Sequence, residues 1–147
     1  MSQSVIPDEV VTRVKNLQEE NDQLQVNIGA IEQQINLFYR AMNSLNDAIM
    51  VQNELKSKKT GDEILIPIGG SNYIQCTLKD PHKTFISLGS GVSLLTELVN
   101  SEEQNKSQIQ NLEKSLNQLQ EQHSKLSKKL NSNRQELLGI VQKYQLL

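Results

Sequence analysis

Hydrophobic positions along the chain fall into three stretches of different period. From Val10 onward the inward positions step by alternate threes and fours: Val10, Val14, Leu17, Asn21, Leu24, Ile28, Ile31, Ile35, Phe38, Met42, Leu45 and Ile49. A second series with the same steps runs through Leu95, Leu98, Glu102, Asn105, Ile109, Leu112, Leu116, Leu119, His123, Leu126, Leu130, Asn133, Leu137, Ile140, Tyr144 and Leu147. A seven-residue repeat kept over so many turns holds its seam on one side only if two helices wind around each other. Each series therefore predicts a coiled-coil helix that needs a partner. At about 1.5 Å per residue, an arm of some fifty residues is roughly 75 Å long.

Between Gly61 and Leu95 the period shortens to two, as expected where helix gives way to strand. Ile64, Ile66 and Ile68 share one strand face, Gly69 to Asn72 turn the chain, and Ile74, Cys76 and Leu78 alternate on the return. Asp80 to Lys83 form the next turn. Phe85, Ile86 and Leu88 form a third strand, and after Gly89-Ser90-Gly91 a short fourth holds Val92 and Leu94. Pro67 cannot donate to a ladder, so its nitrogen belongs at an edge or facing outward. Two small hairpins are marginal alone in water and leave their edges unpaired, so they must pair with other sheets. Closing hairpins from several chains into a barrel removes every edge at once.

The expected fold is α+β: a long antiparallel helical coiled-coil hairpin with two small β-hairpins between the helices that join an intersubunit β-barrel. Its segments are an N-terminal helix over 1–59, a double hairpin over 60–94 and a C-terminal helix over 95–147, together one structural unit. Ile6-Pro7-Asp8-Glu9 reads as the first helix start, since proline suits a first turn and acids complement the helix dipole. Lys56, Lys58 and Lys59 complement its other end before Thr60-Gly61 stops it. For the second helix, Ser93 competes as a cap with the Ser101/Gln104 box, and the unbroken heptads favour the earlier start. Folding the arms together brings Asn21 near Asn133, a polar pair able to fix register.

Among 147 residues, 36% are hydrophobic and 3% aromatic, thin material for a globular core but sufficient for two seams. A formal net charge of -2 and few aromatics argue against nucleic acid as a partner. No apolar run approaches the ~20 residues of a membrane span, and Met1 to Val5 lack a leader pattern, so a cytoplasmic protein with no membrane partner is expected. The single Cys76 cannot form an internal disulfide. Cys76 with His82 suggests a nucleophile and base, but a small apolar residue on the Ile74/Leu78 face is the ordinary reading. His123 lacks companions at metal-ligand spacing. The glycine clusters precede strands and lack a Gly-Lys-Ser/Thr sequence, so they make turns and do not cradle phosphate. Neither an enzyme nor a metal or cofactor site is expected.

The heptad helix, Glu63-Ile64-Leu65-Ile66-Pro67-Ile68-Gly69-Gly70, a second strand, then Ser87-Leu88-Gly89-Ser90-Gly91-Val92 and another heptad helix resemble the alpha subunits of the prefoldin family. Beta subunits of that family carry one hairpin, whereas this waist has room and turn signals for two. The resemblance implies a hexamer of two alpha and four beta subunits, with hairpins assembled into a double β-barrel from which coiled coils hang. It also implies capture of non-native polypeptides without ATP and their delivery to a group II chaperonin. Carried onto this chain, the assembly residues are Ile64, Ile66, Ile68, Ile74, Cys76, Leu78, Ile86, Leu88 and Val92. The client-contact candidates are Val5, Ile6, Val10, Val11, Ile140, Val141, Tyr144, Leu146 and Leu147. Val11, Leu138, Val141 and Leu146 lie outside the seam, where a fraying coiled coil has nothing of its own to cover them. The rival expectation is a coiled-coil oligomerisation tether with no chaperone activity.

Overall fold

The computed structural model describes residues 5–144. In order, it contains α1 (Asp8–Leu55), β1 (Glu63–Gly69), β2 (Asn72–Thr77), β3 (Lys83–Gly89), β4 (Val92–Glu97) and α2 (Leu98–Tyr144). Two compact units divide the chain: the described residues up to Tyr39 with those from Lys114 on, and Arg40–Glu113.

In the first unit the helices run antiparallel as partners, matched by Arg13 with Glu136, Glu20 with Lys129, Glu32 with His123 and Tyr39 with Gln120. Its seam is where the heptads put it. Leu17, Leu24, Leu116 and Leu130 are buried, and Val14, Ile28, Ile31, Ile35, Leu119, Leu126 and Leu137 are half-buried. Asn21 and Asn133 are both buried in this seam, yet Asn21 Oδ1 and Asn133 Nδ2 have no hydrogen-bond partner. At the start of α1, the Pro7 carbonyl accepts from the amides of Val10 and Val11, and Asp8 and Glu9 occupy the first turn. That places proline and acids where an unsatisfied helix N-terminus favours them.

In the second unit α1 ends at Leu55, and its last turn tightens as Ser57 N donates to Glu54 O and Lys58 N to Leu55 O. No basic residue lies in that last turn. Lys56 instead reaches Glu102 of α2 at 2.6 Å. The expected early start of α2 is corrected: β4 runs to Glu97 and the helix begins at Leu98. Leu95 therefore lies in a strand, half exposed, and outside the seam. Ser101 caps nothing at the N-terminus; it is buried within α2, donating to Leu98 O and accepting from Gln52 Nε2 at 3.0 Å.

The two hairpins form separate two-stranded sheets, β1-β2 and β3-β4. Their registers are copies of one another: Ile64 pairs with Cys76 and Ile66 with Ile74, while Thr84 pairs with Thr96 and Ile86 with Leu94. Every pair in the second hairpin is numbered twenty higher than its counterpart, and both have an irregularity just before the turn, at Pro67/Gly69 and Ser87/Gly89. Gly70 and Ser71, then Ser90 and Gly91, take positive φ. Positive φ at both central residues is the signature of the type I′ turn, whose twist suits a two-residue hairpin. Asp80 Oδ1 accepts from His82 N to shape the link between hairpins.

Candidate functional site

Two surfaces carry chemistry beyond the seam, one in each unit. In the hairpin unit, antiparallel pairing puts directly opposed residues on one face. Ile64, Ile66, Ile74 and Cys76 thus share a face of the first hairpin, and Ile86 shares a face of the second with Leu94. Ile64, Cys76, Leu78 and Ile86 are half-buried. Ile66, Ile68, Ile74, Leu88 and Val92 are exposed. Ile68 and Leu88 stand at the register irregularities and have no cross-strand partner.

The opposite faces are mixed, with large apolar side chains at their centres among Glu63, Gln75, Lys83 and Glu97, and a period of two does not single them out. Leu65 and Tyr73 are exposed on the first hairpin, and Phe85 and Leu95 on the second, with Phe85 reaching 73%. Leu94 was likewise left out of the assembly set although it faces Ile86. The available signal was the lack of clean alternation: Leu65 interrupts Ile64 and Ile66, and Phe85 adjoins Ile86. A strand with large apolar side chains on both sides belongs to a sheet covered on both faces. Beside the first hairpin, a cleft is lined by Val51 and Leu55 of α1 and by Ile64 and Leu65 of β1.

Below the hairpins Glu102 is buried, with Lys56 at 2.6 Å and Lys106 at 2.8 Å. Hydrogen bonds from Lys106 and then Lys56 hold its carboxyl below the usual value, against the opposing pull of burial. The heptad reading marks Glu102 as a mere interruption of the seam.

In the other unit the described client candidates come from both chain ends. Arg13 clasps Glu136 with two hydrogen bonds of 2.7 and 2.8 Å, and each partner's charge favours the other's ionised form. Val10 precedes Arg13 by about one helical turn and Ile140 follows Glu136 by about one, so the clasp brings them to the same level. Val5 is exposed to 89%, and Val11 and Leu138 also face solvent. Ile6, Val10, Ile140, Val141 and Tyr144 are half-buried. Leu146 and Leu147 lie outside the described residues. His123 Nε2 sits 2.9 Å from Glu32, a cross-helix pair at a half-buried seam position.

Seam, clasp and duplicated hairpins define an α+β coiled-coil hairpin protein with a double β-hairpin between its helices. The prefoldin subunit family model matches residues 17–143. The chain belongs to the prefoldin subunit family. Among curated relatives, it is 28% identical over 88 residues to prefoldin subunit alpha of Methanosarcina mazei, a match covering 58% of this chain and 62% of that one. It is 29% identical over 80 residues to the alpha subunit of Methanococcoides burtonii, covering 54% and 58%. A longer match to the alpha subunit of Methanococcus vannielii has 27% identity over 124 residues, covering 80% of this chain and 85% of that relative. The first two matches thus span about six tenths of the relatives' length. A cryo-EM structure of filamentous PFD from Methanocaldococcus jannaschii aligns with a TM-score of 0.49 at 18% identity, over 82% of this chain and 94% of that one. The class expected from two hairpins is the class of these relatives. Among the described residues no helix is long and apolar enough to cross a membrane.

Proposed function

We propose that the chain is an alpha-type subunit of an ATP-independent cytoplasmic chaperone. In this reading it assembles through its hairpins with beta-type subunits, two alpha to four beta. It holds non-native polypeptides at the free ends of its coiled coil and passes them to a group II chaperonin. The observation that carries the reading is apolar surface left open at both places: the two faces of each hairpin in one unit and the helix ends in the other. The chain exposes 11211 Å². A folded globular monomer of its 16.6 kDa exposes about 7,600 Å². The excess, roughly 3,600 Å², is what long helices and two-stranded sheets expose for their mass, and its apolar share, including Leu65, Tyr73, Phe85 and Val5, is surface that assembly and capture would cover.

Assembly and capture need different strengths. A patch of about 300 Å² at about 25 cal/mol per Å² contributes up to roughly 7 kcal/mol before the losses of association. One pair of chain ends then binds weakly, and several held in one complex bind usefully through effective concentration. Weak individual contacts suit a holder that must release.

The test assembles the chain with a beta-type subunit and measures protection of a denatured protein against aggregation by light scattering. Trimming residues 1–9 and 141–147 is expected to abolish protection while the complex keeps its mass. Equal protection by trimmed and intact complexes rejects the ends as the client site and favours the tether reading.

A further inference from the structure

We propose that two buried polar layers, Asn21 with Asn133 and Gln52 with Glu102, lock the register in which α1 pairs with α2. The register in turn decides which apolar side chains finish at the chain ends, a consequence that rests on the capture reading above.

Contacts flanking the seam identify the layers. In an antiparallel coiled coil an a position packs level with a d position of the partner, while g faces g on one side and e faces e on the other. Arg13–Glu136 and Glu20–Lys129 join g positions, and Tyr39–Gln120 joins e positions. All three contacts agree on one alignment, in which Leu17 is level with Leu137, Asn21 with Asn133 and Leu24 with Leu130. In the other unit the same heptad numbering sets Gln52 level with Glu102. The bond from Gln52 Nε2 to the adjacent Ser101 Oγ agrees with it.

Burial sets these two layers apart. Asn21, Gln52, Ser101, Glu102 and Asn133 are the buried polar residues among the described ones, and all five lie in or beside the two layers. Asn105 and His123 also interrupt the seam, but they are level with Ile49 and Ile31 and only half-buried, and His123 turns to Glu32. Where a polar residue meets an apolar one it thus keeps an outlet; where it is buried it meets another polar residue. In the first layer the unpaired atoms are an acceptor, Asn21 Oδ1, and a donor, Asn133 Nδ2, so the two amides are complementary.

A slip of one heptad sets Asn21 against Leu126 or Ile140 and separates Gln52 from Ser101 and Lys56 from Glu102. Buried polar groups facing apolar ones are costly, whereas one Leu or Ile layer replaces another at little cost. The apolar layers therefore supply stability and the polar ones supply register. In the locked register Val10 is level with Tyr144, so the first turn of α1 and the last turn of α2 finish together. A slip leaves seam residues at one helix end without a partner.

Pulsed electron paramagnetic resonance on the full chain tests this, with Cys76→Ser and spin labels on Asp22→Cys and Lys114→Cys, both exposed positions. A one-heptad slip moves the helices about 10 Å past each other. The native seam is expected to give one distance. Combining Asn21→Leu, Gln52→Leu, Glu102→Leu and Asn133→Leu is expected to keep the helices by circular dichroism and to add a second, shifted distance. One unshifted distance in that variant shows that the waist alone fixes the register and overturns the proposal. Thermal melts test the first layer without the label: Asn21→Leu and Asn133→Leu are each expected to melt below the double variant, which melts above wild type. Single variants that melt as high as the double one show that the amides do not oppose each other, and the lock fails. Protection of a denatured protein is scored separately. If the slipped variant protects as well as the native seam, only the consequence for capture fails; if neither protects, the capture reading fails and the register lock stands on the distances.

Discussion

Glu102 is a carboxylate placed where the heptad asks for an apolar side chain, and it is tolerated because Lys56 and Lys106 both reach it. A buried charge is costly unless paired and hydrogen-bonded, and breaking such a set harms more than never having built it. Its folded pKa lies below the ordinary 4.5, so it stabilises the fold above that pH and the contribution disappears as pH falls through the lower folded value. Glu102→Gln is expected to lower the melting temperature by several degrees at neutral pH, with the gap to wild type closing in acid. Thermal melts followed by circular dichroism at descending pH check this. Lys106 was visible in the sequence as an i,i+4 partner. Lys56 was not, because its closeness to Glu102 depends on the chain reversing through both hairpins.

The helices were legible because a seven-residue period over many turns permits few structures, and each seam residue from Val10 to Ile49 and from Leu98 to Tyr144 is buried or half-buried. Leu17, fully buried, is the strictest case. Leu17→Ala is expected to cost about 2–5 kcal/mol in urea unfolding, whereas Val11→Ala, on the exposed side of the same helix, stays within about 0.5 kcal/mol. The strands were harder to read. Residues 92–97 are too few to distinguish a period of 3.5 from one of 2, so Leu95 fitted the heptad series although it belongs to β4. Leu65, Tyr73 and Phe85 stand outside the expected assembly set because a period of two assigns one apolar face to each strand, whereas these large apolar side chains lie exposed on the other face among polar ones. The Arg13–Glu136 clasp was equally hidden, since its partners are 123 residues apart and only the antiparallel register brings them together.

For the whole molecule, assembly and capture are expected to be separable yet mutually dependent. A variant that keeps its helices and chain ends but cannot join other chains, such as Leu65→Lys with Tyr73→Lys, retains each weak contact and loses their cooperation. Suppressing aggregation of the same denatured protein is then expected to require about a hundredfold more protein. Titrating chain against light scattering, with mass measured in parallel, checks the dependence. The matched registers of the two hairpins carry a further consequence. In the assembly proposed above, a chain with the same folded module in tandem would fill two seats of a closed ring while bringing a single coiled-coil arm. Circumference and limb number would then be independent quantities, set by the mixture of one-module and two-module chains.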